Sequence, residues 1–139
     1  MMRPFLLFTI FLLLGGGVVA DPGIDRAEFN YFVHCRGCHG PEGMGSYNLV
    51  PNLKGEMGRF LSVGGGREFL VQVPGSANAA VGNEELAELL NWMLVKFSRR
   101  ELPDEFQPYS AEEVGRLRVE PLMEVDQHRA MLVALMPEQ

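Results

Sequence analysis

The sequence predicts an all-α protein, and three stretches carry that prediction. Residues 84–97, EELAELLNWMLVKF, set Leu86, Leu89, Leu90, Met93 and Phe97 at i, i+3, i+4, i+7 and i+11, one apolar helix face. SAEE at 110–113 has the form of a capping box opening a further helix. From Pro121 another helix is predicted to about Leu135, stopping before Pro137.

Taken in chain order, residues 24–34 (IDRAEFNYFVH) carry Ile24, Ala27 and Tyr31 near helical spacing, with Phe32 on the flank and Asp21 or Asp25 as the cap. GPEGMGSYNLVPNLKG is rich in Gly and Pro and reads as loop. EMGRFLSV and REFLVQV read as short helices separated by Gly64, Gly65 and Gly66, with strand as the alternative for FLVQV. For the helix 84–97, Asn83 is the expected N-cap, two glutamates occupy the first turn, and Lys96, Arg99 and Arg100 favour its C-terminal end. No internal repeat or low-complexity tract interrupts the pattern.

The chain has 139 residues, room for one domain. It begins with Arg3, an apolar run from Phe5 to Leu14, and small residues with Val18 and Ala20 where a signal peptidase reads. The run is short for a bilayer span, which needs about 20 residues. Residues 1–20 are therefore read as a signal peptide cleaved after Ala20, which implies export to the periplasm. Cleavage removes Arg3 and leaves 11 basic against 18 acidic side chains, a formal charge of about −7. That balance disfavours nucleic acid or anionic lipid as partners and suits a partner with a basic docking surface.

Both cysteines and two of the three histidines fall in HCRGCHG, residues 34–40. CRGCH is C-x-x-C-H, the attachment signature of c-type haem. Two thiols at this spacing reach the two vinyl groups of one haem, and the next histidine supplies an imidazole nitrogen to iron. Cys35 and Cys38 are thus expected to form the thioethers and His39 to be the axial iron ligand, with His34 a surface residue pointing away. A thioredoxin-type C-x-x-C wants a preceding strand, and a structural zinc site wants four ligands; only His128 remains as a distant histidine. A local disulfide is the third competing reading.

Residues 24–97 resemble the class I cytochromes c. Ala27 and Tyr31 precede Cys35 by eight and four residues, where that family has a small residue and an aromatic. CHGPEGMG resembles its CHG followed by G-x-G, and Trp92 stands where its last helix carries an aromatic. Pro51 follows His39 by twelve residues, where the family's proline carbonyl accepts the second ring N–H of the haem histidine. The resemblance implies a cytochrome c fold over residues 21–98, with residues 99–139 a helical C-terminal extension. It implies one covalently attached haem c held by Cys35, Cys38, His39 and Pro51. It also implies single-electron transfer between periplasmic redox partners, with no catalytic nucleophile. Two other readings follow from the same residues: a high-spin or open-site haem protein binding NO, CO or O2, and a haem subunit of a larger dehydrogenase, docked through the extension.

The chain departs from the family in the loop before the last helix, VQVPGSANAAVGNEEL. Val73 occupies the place of the usual ligand methionine, and no Met occurs in 58–92. The candidates for the sixth iron ligand are Met44 and Met57, Met93 if the last helix were displaced, Met123 or His128 from the extension, Asn78 as a weak ligand, or none. GGGR at 64–67 is too slight for a phosphate loop; it is read as a tight connection near the haem edge, with Arg67 a partner for a propionate or a solvated arginine.

Overall fold

The computed structural model describes residues 25–46 and 49–137. The expected signal peptide, its cleavage site, Asp21 and Ile24 lie outside the described residues. Among the described residues seven α-helices run in order: α1 (Arg26–His34), α2 (Arg36–His39), α3 (Gly66–Gln72), α4 (Pro74–Ala77), α5 (Asn83–Ser98), α6 (Ala111–Leu117) and α7 (Val125–Leu135). The 3₁₀ turns Met57–Ser62 and Arg99–Glu101 complete them. No strand occurs among the described residues, which hold one isolated bridge, Ser46 to Val50. Phe69–Gln72 of FLVQV are therefore helical, in α3, and Val73 is its C-cap.

The all-α expectation holds, and α5 is its hub. Leu86, Leu89, Leu90 and Leu94 are at most 1% exposed, so truncating any of them to alanine would cost about 2–5 kcal/mol. Helix α1 packs on α5 through buried Ala27 and Tyr31. A small side chain at the contact lets two helix axes approach closely. Tyr31 lies 5.5 Å from Trp92 and 5.0 Å from Phe97, ring centre to ring centre, in tilted geometry. Asp25 caps α1, its carboxylate accepting from the Ala27 amide at 2.8 Å. Across the pair, Arg26 donates to Glu88 and Glu84.

Two expected helix starts are corrected. Gly82, not Asn83, caps α5, because the Glu85 carboxylate reaches back to accept from the Gly82 amide at 2.8 Å. Asn83 is drawn outward to accept from Arg118 at 3.3 Å. The last helix begins at Val125 rather than at Pro121, since the Leu122 amide donates to the Gln72 carbonyl at 2.9 Å and holds that stretch against the end of α3. No helix among the described residues is long and apolar enough to cross a membrane.

The segment after α5 returns over the molecule and is fixed by side chains that cap backbone. Asn91 of α5 pairs with Tyr109 twice, accepting from its amide at 2.8 Å and donating to its carbonyl at 3.0 Å. The Tyr109 hydroxyl donates to the Arg67 carbonyl at 2.8 Å, and the Arg67 guanidinium lies 4.0 Å over the Tyr109 ring. Burial pushes the Tyr109 phenol up. Ser110 caps α6 as expected, accepting from the Glu113 amide at 3.1 Å. The reciprocal half of the capping box is missing because Glu113 is taken by Arg67, at 2.8 Å between Nη2 and Oε2.

That ion pair, with hydrogen bonds from Arg67 foremost, holds the Glu113 carboxyl below its ordinary value of 4.5. A depressed folded-state value means the stabilisation is complete above 4.5 and lost as pH falls through the folded value. Both side chains are partly exposed, so Glu113→Gln is expected to cost about 1 kcal/mol near pH 7. The cost should shrink as the pH drops below 4.5. Urea unfolding of both proteins across that range measures the difference.

Candidate haem site

The C-x-x-C-H segment straddles the junction of two helices. Helix α1 ends at Cys35, whose amide donates to the Tyr31 carbonyl at 3.0 Å, and α2 carries the chain through Cys38 to His39. Gly40 turns out of α2 with φ +73°, and its carbonyl accepts from the Tyr31 hydroxyl at 2.6 Å. The aromatic cluster between α1 and α5 is thereby tied to the end of the motif. The Gly45 amide then donates to the His39 carbonyl at 2.9 Å, and the Gly43 carbonyl accepts from the Leu53 amide at 2.7 Å. These bonds fold the loop back so that Pro51 meets His39.

Nδ1 of His39 lies 3.1 Å from the Pro51 carbonyl oxygen. A carbonyl only accepts, so Nδ1 carries the proton and Nε2 keeps its lone pair. Burial lowers the His39 pKa, partly opposed by the Pro51 bond, which favours the neutral ring a metal needs. Gly45 is what allows this placement. It has φ +66°, and a Cβ there would stand 2.3 Å from the Val50 oxygen and 2.6 Å from the Pro51 oxygen. Any larger residue would push on the carbonyl that orients His39.

Cys35, Cys38, His39 and Pro51 all line one apolar cleft of about 370 Å³, within the range of small-molecule sites. Its far side is built from α3, α4 and α5. The two cysteines are unpaired in the structure; Cys38 is exposed, and burial raises the Cys35 thiol to about 11. No group of three or more His, Cys, Asp or Glu side chains is gathered for a metal ion among the described residues. Two thiols and a neutral imidazole on one wall of an apolar cleft are the donor set of a covalently held haem, and the cleft fits such a group.

Several other expected placements change. His34 is exposed but lines the cleft rather than pointing away from it. Arg67 is not at the cleft: beyond Glu113 it donates to the Gln107 carbonyl at 2.6 Å and the Pro108 carbonyl at 3.1 Å. It borders a separate surface groove of about 470 Å³, where Arg67 and Glu113 already satisfy each other. The guanidinium on the cleft wall is Arg129, on α7 with Val125 and Asp126. That contribution was missed from sequence, although Val125 and Arg129 stand one helical turn apart.

Of the sixth-ligand candidates, Met57 lines the cleft, and so does Met93 without any displacement of α5. Met44 and Met123 are 55% and 89% exposed, and Asn78 is exposed; none of the three lines the cleft. His128 sits behind the wall, stacked on Phe69 at 5.9 Å.

No protein-family model matches the chain. It is similar to a Cytochrome c-552 of Thermus thermophilus, 32% identical over 130 residues that span 81% of this chain and 85% of the relative. A second Cytochrome c-552 of Thermus thermophilus is 30% identical over 109 residues, 66% of this chain and 83% of the relative. Identity at this level across nearly the whole relative is common descent, not a shared motif. By that relationship and by its all-α frame, the chain belongs to the monohaem class I c-type cytochromes, electron carriers whose cofactor is covalently attached haem c.

Proposed function

We propose that the exported protein takes up one haem through Cys35 and Cys38, ligates its iron through His39 Nε2, and passes single electrons between periplasmic redox partners. The observation that carries this is the His39–Pro51 bond of 3.1 Å on a wall shared with both thiols. When bound, the haem supplies a one-electron couple. The chain fixes the imidazole tautomer, raises its basicity through Pro51, and keeps the macrocycle in apolar surroundings that tune its potential. Arg129 on the cleft wall offers charge to a propionate. Residues 21–98 form the haem-bearing unit and 99–139 the helical extension that completes the cleft.

Exposed Phe32 and Val33 on α1 and Leu49 in the adjoining loop lie close in sequence to the cysteines and offer an apolar docking edge. The acidic remainder of the chain favours a partner with a basic surface. That partner is a periplasmic redox protein or dehydrogenase.

The test is maturation in a periplasm with the haem-attachment machinery, followed by haem staining on a denaturing gel. The native chain is expected to stain, and Cys35→Ser/Cys38→Ser to lose the stain entirely. Redox titration of the native protein should show a single one-electron wave. A wild-type chain that folds but never stains would sink the proposal.

A further inference from the structure

Four cations of an otherwise acidic chain gather at one end of α5. Lys96, Arg99 and Arg100 stand at i, i+3 and i+4 across its last turn and the 3₁₀ turn that follows, and all three are exposed. Exposed Lys54 joins them from the loop whose Pro51, Asn52 and Leu53 line the cleft, because the Gly55 amide donates to the Phe97 carbonyl at 2.9 Å. The cleavage product carries 11 basic against 18 acidic side chains, so these two adjoining segments hold a large share of its positive charge.

No carboxylate among the described residues answers these charges. The ion pairs there engage Arg26, Arg59 and Arg67 and none of the four. Two carboxylates close by in sequence are already held: Glu101 accepts from the Ser98 hydroxyl at 2.9 Å, and Glu56 pairs with Arg59 at 3.1 Å. Cations favour a helix C-terminus, but the Phe97 carbonyl there already accepts from Gly55, and Lys54 is not on the helix. Like charges at i and i+4, as Lys96 and Arg100 are, repel each other and weaken the helix end.

We infer that Lys54, Lys96, Arg99 and Arg100 form a docking face for an acidic segment of a partner protein. Charge at the far end of α5 has the opposite sign, with Glu84, Glu85 and Glu88 against the single Arg26 that pairs there. The helix has 16 residues. It is therefore about 24 Å long. A complementary surface must be local, as a run of carboxylates on a protein is. A broad anionic membrane would meet the acidic remainder of the chain as well. The face differs in chemistry from the apolar edge of Phe32, Val33 and Leu49. An electron carrier has a donor and an acceptor, and two unlike faces let it tell them apart. The inference adds a second partner to the electron-carrier reading, and the face itself needs no haem.

The experiment measures binding of a labelled polyglutamate peptide to the matured, haem-loaded chain by equilibrium dialysis at low salt. Saturable binding is expected, weakening as salt is added. Lys96→Gln/Arg100→Gln should lower the affinity about tenfold or more. Its melting temperature should not change, since both side chains are exposed. Arg116→Glu, at an exposed site on α6, alters the net charge by the same amount and should lower the affinity less than about threefold. Equal losses in the two variants would show an effect of net charge alone and overturn the inference, as would a native protein that binds no peptide. Binding to phosphatidylglycerol vesicles but not to the peptide would overturn it in favour of a membrane surface. Absence of covalent haem on the gel is a different failure, that of attachment and not of this face.

Discussion

Gly66→Ala is expected to destabilise the fold severely. A Cβ at Gly66 would stand 1.8 Å from the Phe60 carbonyl oxygen and 2.6 Å from its carbon, both main-chain atoms that cannot rotate aside. Either α3 or the 3₁₀ turn before it must move. That movement would separate the Phe60 and Phe69 rings, stacked at 4.9 Å on the cleft wall. Overpacking typically costs about 1–3 kcal/mol where side chains can yield. Here backbone meets backbone, so a loss above about 4 kcal/mol is expected, a fall in Tm of roughly 15 °C for a domain of this size. Gly64→Ala is the control. Nothing lies within 4 Å of its Cβ, and it has no positive φ, so it should be neutral or slightly stabilising. Thermal unfolding of the two variants decides the matter: equal melting temperatures would refute the close approach.

The contrast between neighbouring glycines shows which parts of this molecule are legible in its sequence. GGG announces a connection, but not that the third glycine leaves no room for a Cβ, since that depends on a carbonyl six residues earlier. Local periodicity and caps read well. The apolar stripe of α5, Asp25 before α1 and Ser110 before α6 all act within a few residues of themselves. Partners far along the chain do not read well. Glu113 looked like the second half of a capping box and instead answers Arg67, 46 residues away. Asn83 looked like a cap and instead answers Arg118, 35 residues away.

The haem motif was legible because its chemistry needs two thiols and an imidazole at fixed short spacing. Pro51 was reached through resemblance, and the structure brings its carbonyl to His39 through the turn at Gly45. The rest of the cleft wall is harder, for its residues come from stretches far apart along the chain. Neither Val73 nor the extension's Arg129 carries a local signal of facing a cleft.

Arg118→Ala is expected to have a large effect, and to reach the cleft without touching it. Its guanidinium donates to the carbonyls of Ala77, at the end of α4, and of Ala79 and Val81 beyond it, and to Asn83 Oδ1. Hydrogen bonds to a charged donor contribute about 1.5–3 kcal/mol each in favourable cases, but these share one side chain and the exposed carbonyls recover water. A net loss of about 3 kcal/mol is therefore expected for the alanine variant. Arg118→Lys should recover only part of it, because an ammonium cannot span carbonyls that a planar fork meets together.

The wall's mobility separates this role from ordinary packing. Freed of Arg118, residues 77–82 lose their long-range anchor, while α5 keeps Leu86, Leu89 and Leu90 in the core. Amide hydrogen exchange should accelerate in 77–82 before it does in 86–94. Uniform acceleration across both stretches would show that Arg118 supports the fold as a whole and not the wall of the cleft.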